Sequence, residues 1–141
     1  MSDATHDFRD TWTIASAREE IEMVLKQVIA RLEAGGWDET ATFAVRLSLE
    51  EGLSNALNHG NGGDPGRRIE VEFTGNRVRC SAVIVDEGPG YDPDSVPDPT
   101  ADENLTVASG RGLTLIRAFM TEVTVIAPGN RLEMTYVRPA K

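Results

Sequence analysis

Cysteine is almost missing from this chain of 141 residues, since Cys80 stands alone. No intrachain disulfide can form, so a reducing compartment is expected. Cys80 falls within an apolar strand pattern at residues 78–85, where a small buried hydrophobe is expected in preference to a reactive thiol. No apolar run approaches the ~18 residues needed to span a bilayer. The first residues are polar and acidic, without the basic start of a secretory signal, so a cytoplasmic protein is expected. Basic residues are also scarce, with 14 Lys plus Arg against 23 Asp plus Glu and a formal net charge of -9. That balance argues against non-specific nucleic-acid binding and against a polybasic membrane anchor. A Gly-x-x-x-x-Gly-Lys-Ser/Thr phosphate loop is absent too. Much of the acidity is local, because residues 86–103 hold seven acids and no Lys or Arg.

The chain is otherwise globular in composition, 40% hydrophobic and 26% charged, and suits one domain spanning residues 1–141 with its core at about 8–138. Residues 8–14 alternate weakly and suit a first strand. Ser16 and Glu19 have the spacing of a capping box. Ile21, Val24, Leu25, Val28 and Leu32 then form one helix face, and Gly35 with Gly36 stops it. A second helix is expected from Asp38 to Gly60, with Val45, Leu49, Leu53 and Leu57 along it. A glycine-rich loop follows, then strands at 69–73 and 78–85 around a turn at Gly75 and Asn76. Residues 91–108 are rich in proline and acid and suit little regular structure. A short helix after Gly112 and a hairpin of strands 123–127 and 132–137 close the chain. Antiparallel hairpins with helices on one side make an α+β two-layer sandwich, its sheet mostly antiparallel.

Three groups of polar or glycine residues are not explained by that fold. Glu51, Asn55 and His59 recur at four-residue steps on the non-core side of the second helix. A carboxylate one turn from a carboxamide could serve as base and hard-cation ligand, or simply as a solvated face. Gly52 and Ser54 are expected to keep the neighbouring surface small. Asp86, Gly88 and Gly90 directly follow an apolar strand. A carboxylate there can accept a hydrogen bond from an exocyclic amine, with glycines admitting a planar base; the pattern also suits a plain acidic turn. Gly110, Arg111 and Gly112 at a helix start offer amides and one positive charge to an anion, or form a solvated loop tip. A calcium loop of the EF-hand type does not fit the acidic stretch, which lacks its sixth-position glycine and terminal glutamate.

In the order LEEGLSNALNHG (49–60), VDEGPG (85–90) and SGRGLTLIRAFMTEV (109–123), the chain resembles the ATP-binding domain of gyrase, heat-shock-90, histidine-kinase and mismatch-repair ATPases, the Bergerat or GHKL fold. Within that superfamily it is similar to the stand-alone anti-sigma factor serine/threonine kinases of bacteria. The resemblance implies ATP and Mg²⁺ as cofactors, with Asn55 as metal ligand and Glu51 as catalytic base. It implies Asp86 on the adenine amine, Gly88 and Gly90 beneath the nucleotide, and Gly110, Arg111 and Gly112 against the phosphates. Residues 91–109 would be the lid over the nucleotide. Glu50 points about 100° from Glu51 on an ideal helix and is expected to be a solvated charge. The implied partners are a sigma factor and an anti-anti-sigma protein, the latter as phosphate acceptor, with a homodimer also implied. The alternative is a nucleotide-gated partner-binding regulator without significant kinase turnover. His59 is assigned no role.

Overall fold

Alternation of side chains builds the sheet and sets which of its faces is covered. The computed structural model describes residues 7–88, 108–126 and 130–139, with the backbone alone for 108–111. Strand β1 (Phe8–Ala15) pairs antiparallel with β2 (Arg68–Gly75), which pairs with β3 (Arg79–Asp86). β3 then pairs with β5 (Arg131–Val137), and β5 with the edge strand β4 (Glu122–Ile126). The order is β1-β2-β3-β5-β4, antiparallel at every described pairing. Ile69, Val71 and Phe73 of β2, Cys80, Ala82 and Ile84 of β3, and Met134 and Tyr136 of β5 are all buried on the helix side. The opposite face stays open, and Thr11, Thr13, Glu70, Glu72, Val83 and Val85 line a shallow groove on it. This is the expected two-layer α+β sandwich. Burial lifts the thiol of Cys80 to about 12, as a structural cysteine requires.

Helix α1 (Arg18–Ala34) buries Ile21, Val24, Leu25, Val28 and Leu32, the stripe its periodicity sets. Its start departs from the expected capping box. Ala17 occupies the cap position and no side chain caps it. The Ser16 hydroxyl, one residue early and buried, instead donates to the Arg67 carbonyl at 2.8 Å. Glu20 takes over at the helix, accepting the Ala15 amide at 2.9 Å. The carbonyl of the loop before β2 needed a donor, and Ser16 supplied it. At the other end, Gly36 sits at φ 75°. The Trp37 amide donates to Leu32 and the Gly36 amide to Glu33, both at 3.1 Å, closing a Schellman motif that only glycine enters without strain.

Asp38 caps helix α2 (Glu39–Asn55) by accepting the Ala41 amide at 2.9 Å. Leu49 and Leu53 of α2 are fully buried, each worth ~1.5–3 kcal/mol relative to exposure. Gly52 also faces the sheet, contrary to the surface role expected for it. A Cβ there would meet Ile84 Cδ1 at 2.7 Å and Leu132 Cδ2 at 3.1 Å. The glycine therefore sets how closely α2 lies on β3 and β5. The helix does not run on to Gly60 as an α-helix. Residues Ala56–Gly60 form a π-helical turn, whose wider ring delivers the next residue, Asn61, to a buried position. Helix α3 (Ala108–Phe119) packs against α2. It begins before Gly110, so Gly110 and Arg111 lie in its first turn.

Candidate functional site

The exposed side of α2 carries the first cluster. Glu51 and Asn55 lie one turn apart on α2, which puts their Cβ atoms ~5–6 Å from each other. Both are half-buried, and among the described residues neither side chain has a hydrogen-bond or ion-pair partner. Glu50 differs. It is not a free solvated charge, because Arg18 Nη2 reaches it at 2.7 Å and Arg46 Nη1 at 3.3 Å. Arg18 also donates to Ser54 Oγ at 3.1 Å. Of the two neighbouring acids, Glu51 alone keeps its carboxylate uncommitted. Across from Asn55 stands α3. A Cβ on Gly112 would meet Asn55 Nδ2 at 2.7 Å and Oδ1 at 3.2 Å, so the glycine allows the α3 backbone to approach the carboxamide.

The second cluster is at the end of β3. Asp86 is half-buried, and burial raises its carboxyl above the ordinary value of 3.8, opposed by the Gly88 amide and the charge of Arg67. The Gly88 amide donates to Asp86 Oδ1 at 2.8 Å. Gly60, at the end of the π-helical turn, packs so tightly on Asp86 that a Cβ would overlap both carboxylate oxygens. A Cβ on Gly88 would overlap the Gly60 carbonyl oxygen. Two glycines and one aspartate thus close on one another, leaving no room for side chains at this corner. His59, in the same π-helical turn, is exposed at its outer side, and partial burial of its ring draws it below the usual 6.5.

The structure brings Glu51, Asn55 and Gly112 together, and Asp86 with Gly88, and joins the two groups through the π-helical turn. Gly90 and residues 91–107 of the expected lid lie outside the described residues, as does the Arg111 side chain. Residues 108 and 109, expected as the end of the lid, begin α3.

Two asparagines at this site were not singled out from sequence. Asn130 Nδ2 donates to the Asp86 carbonyl at 3.0 Å, and the Asp86 amide donates to the Asn130 carbonyl at 3.0 Å. Asn61, 1% exposed, is bonded on every polar atom of its carboxamide. Its position in a Gly-Asn-Gly-Gly run carries the signature of an ordinary turn, and no sequence signal separates a buried asparagine from an exposed one there.

A family model for the histidine kinase-like ATPase domain matches residues 14–136. The chain belongs to that family. Among curated proteins none matches it. Domains of this histidine kinase-like ATPase family bind ATP, typically with Mg²⁺, and the residues present fit both groups. Glycines at 60, 88 and 112 let the backbone close on Asp86 and Asn55, where a Cβ would displace the polar groups proposed to meet the nucleotide. Asp86 offers an acceptor to an exocyclic amine. Asn55 offers an uncommitted carboxamide oxygen, a hard donor suited to Mg²⁺. No group of three or more His, Cys, Asp or Glu able to hold a metal occurs among the described residues. A cation here would take one protein ligand and complete its shell with water and phosphate oxygens, the usual habit of Mg²⁺. Among the described residues no helix is long and apolar enough to cross a membrane.

Proposed function

We propose that the chain is an ATP-binding anti-sigma factor with serine-protein kinase activity, which phosphorylates an anti-anti-sigma partner of the STAS type and sequesters a sigma factor. The observation that supports a kinase is the pairing on α2: Glu51 and, one turn on, the proposed metal-ligating carboxamide of Asn55 are both uncommitted among the described residues, while Glu50 is neutralised by two arginines. The acceptor serine oxygen forms a bond to the γ-phosphorus as the bond to the bridging oxygen breaks, and its electron pair leaves with ADP. Glu51 accepts the serine proton. Phosphoryl transfer asks mainly for positioning and charge neutralisation. Asp86 orients the base, and the amides at the start of α3 face the phosphates. Mg²⁺, when bound at Asn55, neutralises phosphate charge.

The test is transfer of labelled phosphate from ATP to a cognate acceptor, with Glu51→Ala as control. General-base removal of this kind lowers rates ~10²–10⁴-fold. No transfer by the native chain removes the kinase reading, and transfer undiminished by Glu51→Ala removes Glu51 as its base. One observation favours a second reading, a nucleotide-gated binding regulator: among the described residues none orients Glu51, whereas catalytic bases are usually held by a third group. That reading expects ATP-dependent partner capture that survives Glu51→Ala and is lost with Asn55→Ala or Asp86→Ala.

A further inference from the structure

The turn that presents Asp86 is held from behind by a residue with no place in the nucleotide site. Asn61 is buried, and its carboxamide is saturated. Nδ2 donates to Ser16 Oγ at 2.8 Å and to the Arg68 carbonyl at 3.0 Å. Oδ1 accepts the Glu87 amide at 2.8 Å. A flipped carboxamide would set its amine against the Glu87 amide and its oxygen against the Arg68 carbonyl, so the orientation is determined by the network. The Asn61 backbone amide also donates to the Ala56 carbonyl at 2.8 Å, across the π-helical turn. Ser16 completes the chain by donating to the Arg67 carbonyl, and Glu87 Oε1 accepts the Arg68 amide at 2.9 Å. One side chain therefore ties together Ser16 after β1, the start of β2 and the residue after Asp86, while the backbone of the same residue closes the π-helical turn.

We propose that Asn61 is the positioning residue that presets the Asp86 turn, and so governs preference for adenine over guanine nucleotides. The inference rests on the reading of Asp86 as acceptor for the adenine amine. Guanine presents a carbonyl oxygen at the corresponding position, which meets a carboxylate acceptor to acceptor. Discrimination therefore depends on the carboxylate keeping its place. Asp86 Oδ1 is engaged by the Gly88 amide, and Gly60 blocks the carboxylate from moving toward the π-helical turn. The first restraint holds only while Glu87 stays docked, and Asn61 Oδ1 docks it; the Asn61 backbone amide, bonded to Ala56, separately holds the π-helical turn that ends in Gly60. Asn55 lies before the π-helical turn and Gly112 on α3, and both are held by the packing of α2 on α3. Loss of the Asn61 carboxamide therefore disturbs reading of the base and spares the phosphate end. Organising an acceptor before the ligand arrives removes an ordering cost from binding.

The experiment is calorimetric titration of the full chain with Mg-ATP and with Mg-GTP. The native chain, Asn61→Ala, Ser16→Ala, Asp86→Ala and Asn55→Ala are compared, with amide hydrogen exchange of Glu87 followed without nucleotide. Misplacing one charge-assisted hydrogen bond is worth about tenfold or more in affinity. Asn61→Ala is expected to lose that factor for ATP with GTP binding little changed, so the ATP:GTP ratio falls, and to expose the Glu87 amide to exchange. Asn55→Ala is expected to weaken both nucleotides alike. A merely structural role for Asn61 would lower both affinities together, and that result overturns the proposal. If Asp86→Ala erases the ratio while Asn61→Ala preserves it, Asn61 is not the positioning residue although the reading of Asp86 stands. If Asp86→Ala leaves the ratio unchanged, the reading of Asp86 fails and the proposal falls with it. Should Asn61→Ala not fold, Ser16→Ala decides. It removes one of the two Nδ2 acceptors and is expected to shift ratio and exchange in the same direction by less. No change in either overturns the proposal.

Discussion

Replacing Gly112 by alanine separates the stability of the domain from its chemistry. Gly112 is inside α3, where exchanging glycine for alanine gains about 0.5–1 kcal/mol of helix stability. The new Cβ would stand 2.7 Å from Asn55 Nδ2, 3.2 Å from Oδ1 and 3.3 Å from Cγ. What it meets is the end of a side chain with no other bond among the described residues, not backbone, so Asn55 yields by rotating. A side chain pushed ~30° off its rotamer costs about 0.5–1.5 kcal/mol, which roughly cancels the helix gain. Unfolding is therefore expected to stay within about 4 °C of the native midpoint, the shift that ~1 kcal/mol makes in a domain of this size. Binding responds differently. The carboxamide that rotates away is the proposed Mg²⁺ ligand, and a lost interaction with a charged partner is worth about 1.5–3 kcal/mol, ~10- to 100-fold in affinity. Differential scanning calorimetry measures the first quantity and titration with Mg-ATP the second. A stable variant that binds Mg-ATP as tightly as the native chain would refute the assignment of Asn55.

Asp86→Asn is expected to stabilise the nucleotide-free chain at neutral pH while abolishing ATP binding. The native carboxyl is raised by burial, so its favourable contribution is complete below the unfolded value near 3.8 and is lost as pH rises through the native value. The gain in melting temperature should be present at pH 7 and shrink toward pH 4, and a variant less stable than the native chain at pH 7 contradicts this sign. Gly88→Ala behaves unlike Gly112→Ala, because its Cβ overlaps the Gly60 carbonyl. Backbone must move, so a loss of about 1–3 kcal/mol by denaturant titration is expected, together with loss of ATP binding. His59, lowered by partial burial, should titrate by NMR below 6.5. Its contribution is present above 6.5 and lost as pH falls through the native value, so His59→Gln should flatten the acid side of the stability profile.

The elements that were legible in the sequence are those whose side chains repeat. Ile21, Val24, Leu25, Val28 and Leu32 occupy one face at helical spacing and are all buried. Ile69, Val71 and Phe73 alternate and point into the core. Glu51 and Asn55 could be paired as well, since four-residue spacing on a helix is itself geometry. What escaped were interactions between residues distant in sequence. Ser16 had the spacing of a cap but bonds a carbonyl 51 positions away. Glu50 has the helix position of a solvated charge but meets Arg18, 32 positions earlier. Gly52 lies in sequence between the polar Glu51 and Ser54, yet its own angular position on α2 faces Ile84. Asn61 drew its partners from three separate segments, and periodicity carries no information about such meetings.

The glycines show the same division in a form that bears on function. As pairs in sequence, Gly88 with Gly90 and Gly110 with Gly112 describe two weak patterns, either of which would suit an ordinary turn. In space the informative pairings are different: Gly112 with Asn55, and Gly60 with both Asp86 and Gly88. Each removes a Cβ where a polar group of the proposed site would otherwise be displaced. The glycine that links them, Gly60, closes the π-helical turn that begins directly after Asn55. A purely α-helical continuation would carry one residue fewer across that turn and bring a different residue against Asp86. The π-helical turn is thus the element that places the proposed metal-ligating position and the proposed base-reading position in one register. Substitutions that regularise it should uncouple ATP binding from stability even where they leave every proposed ligand in the sequence.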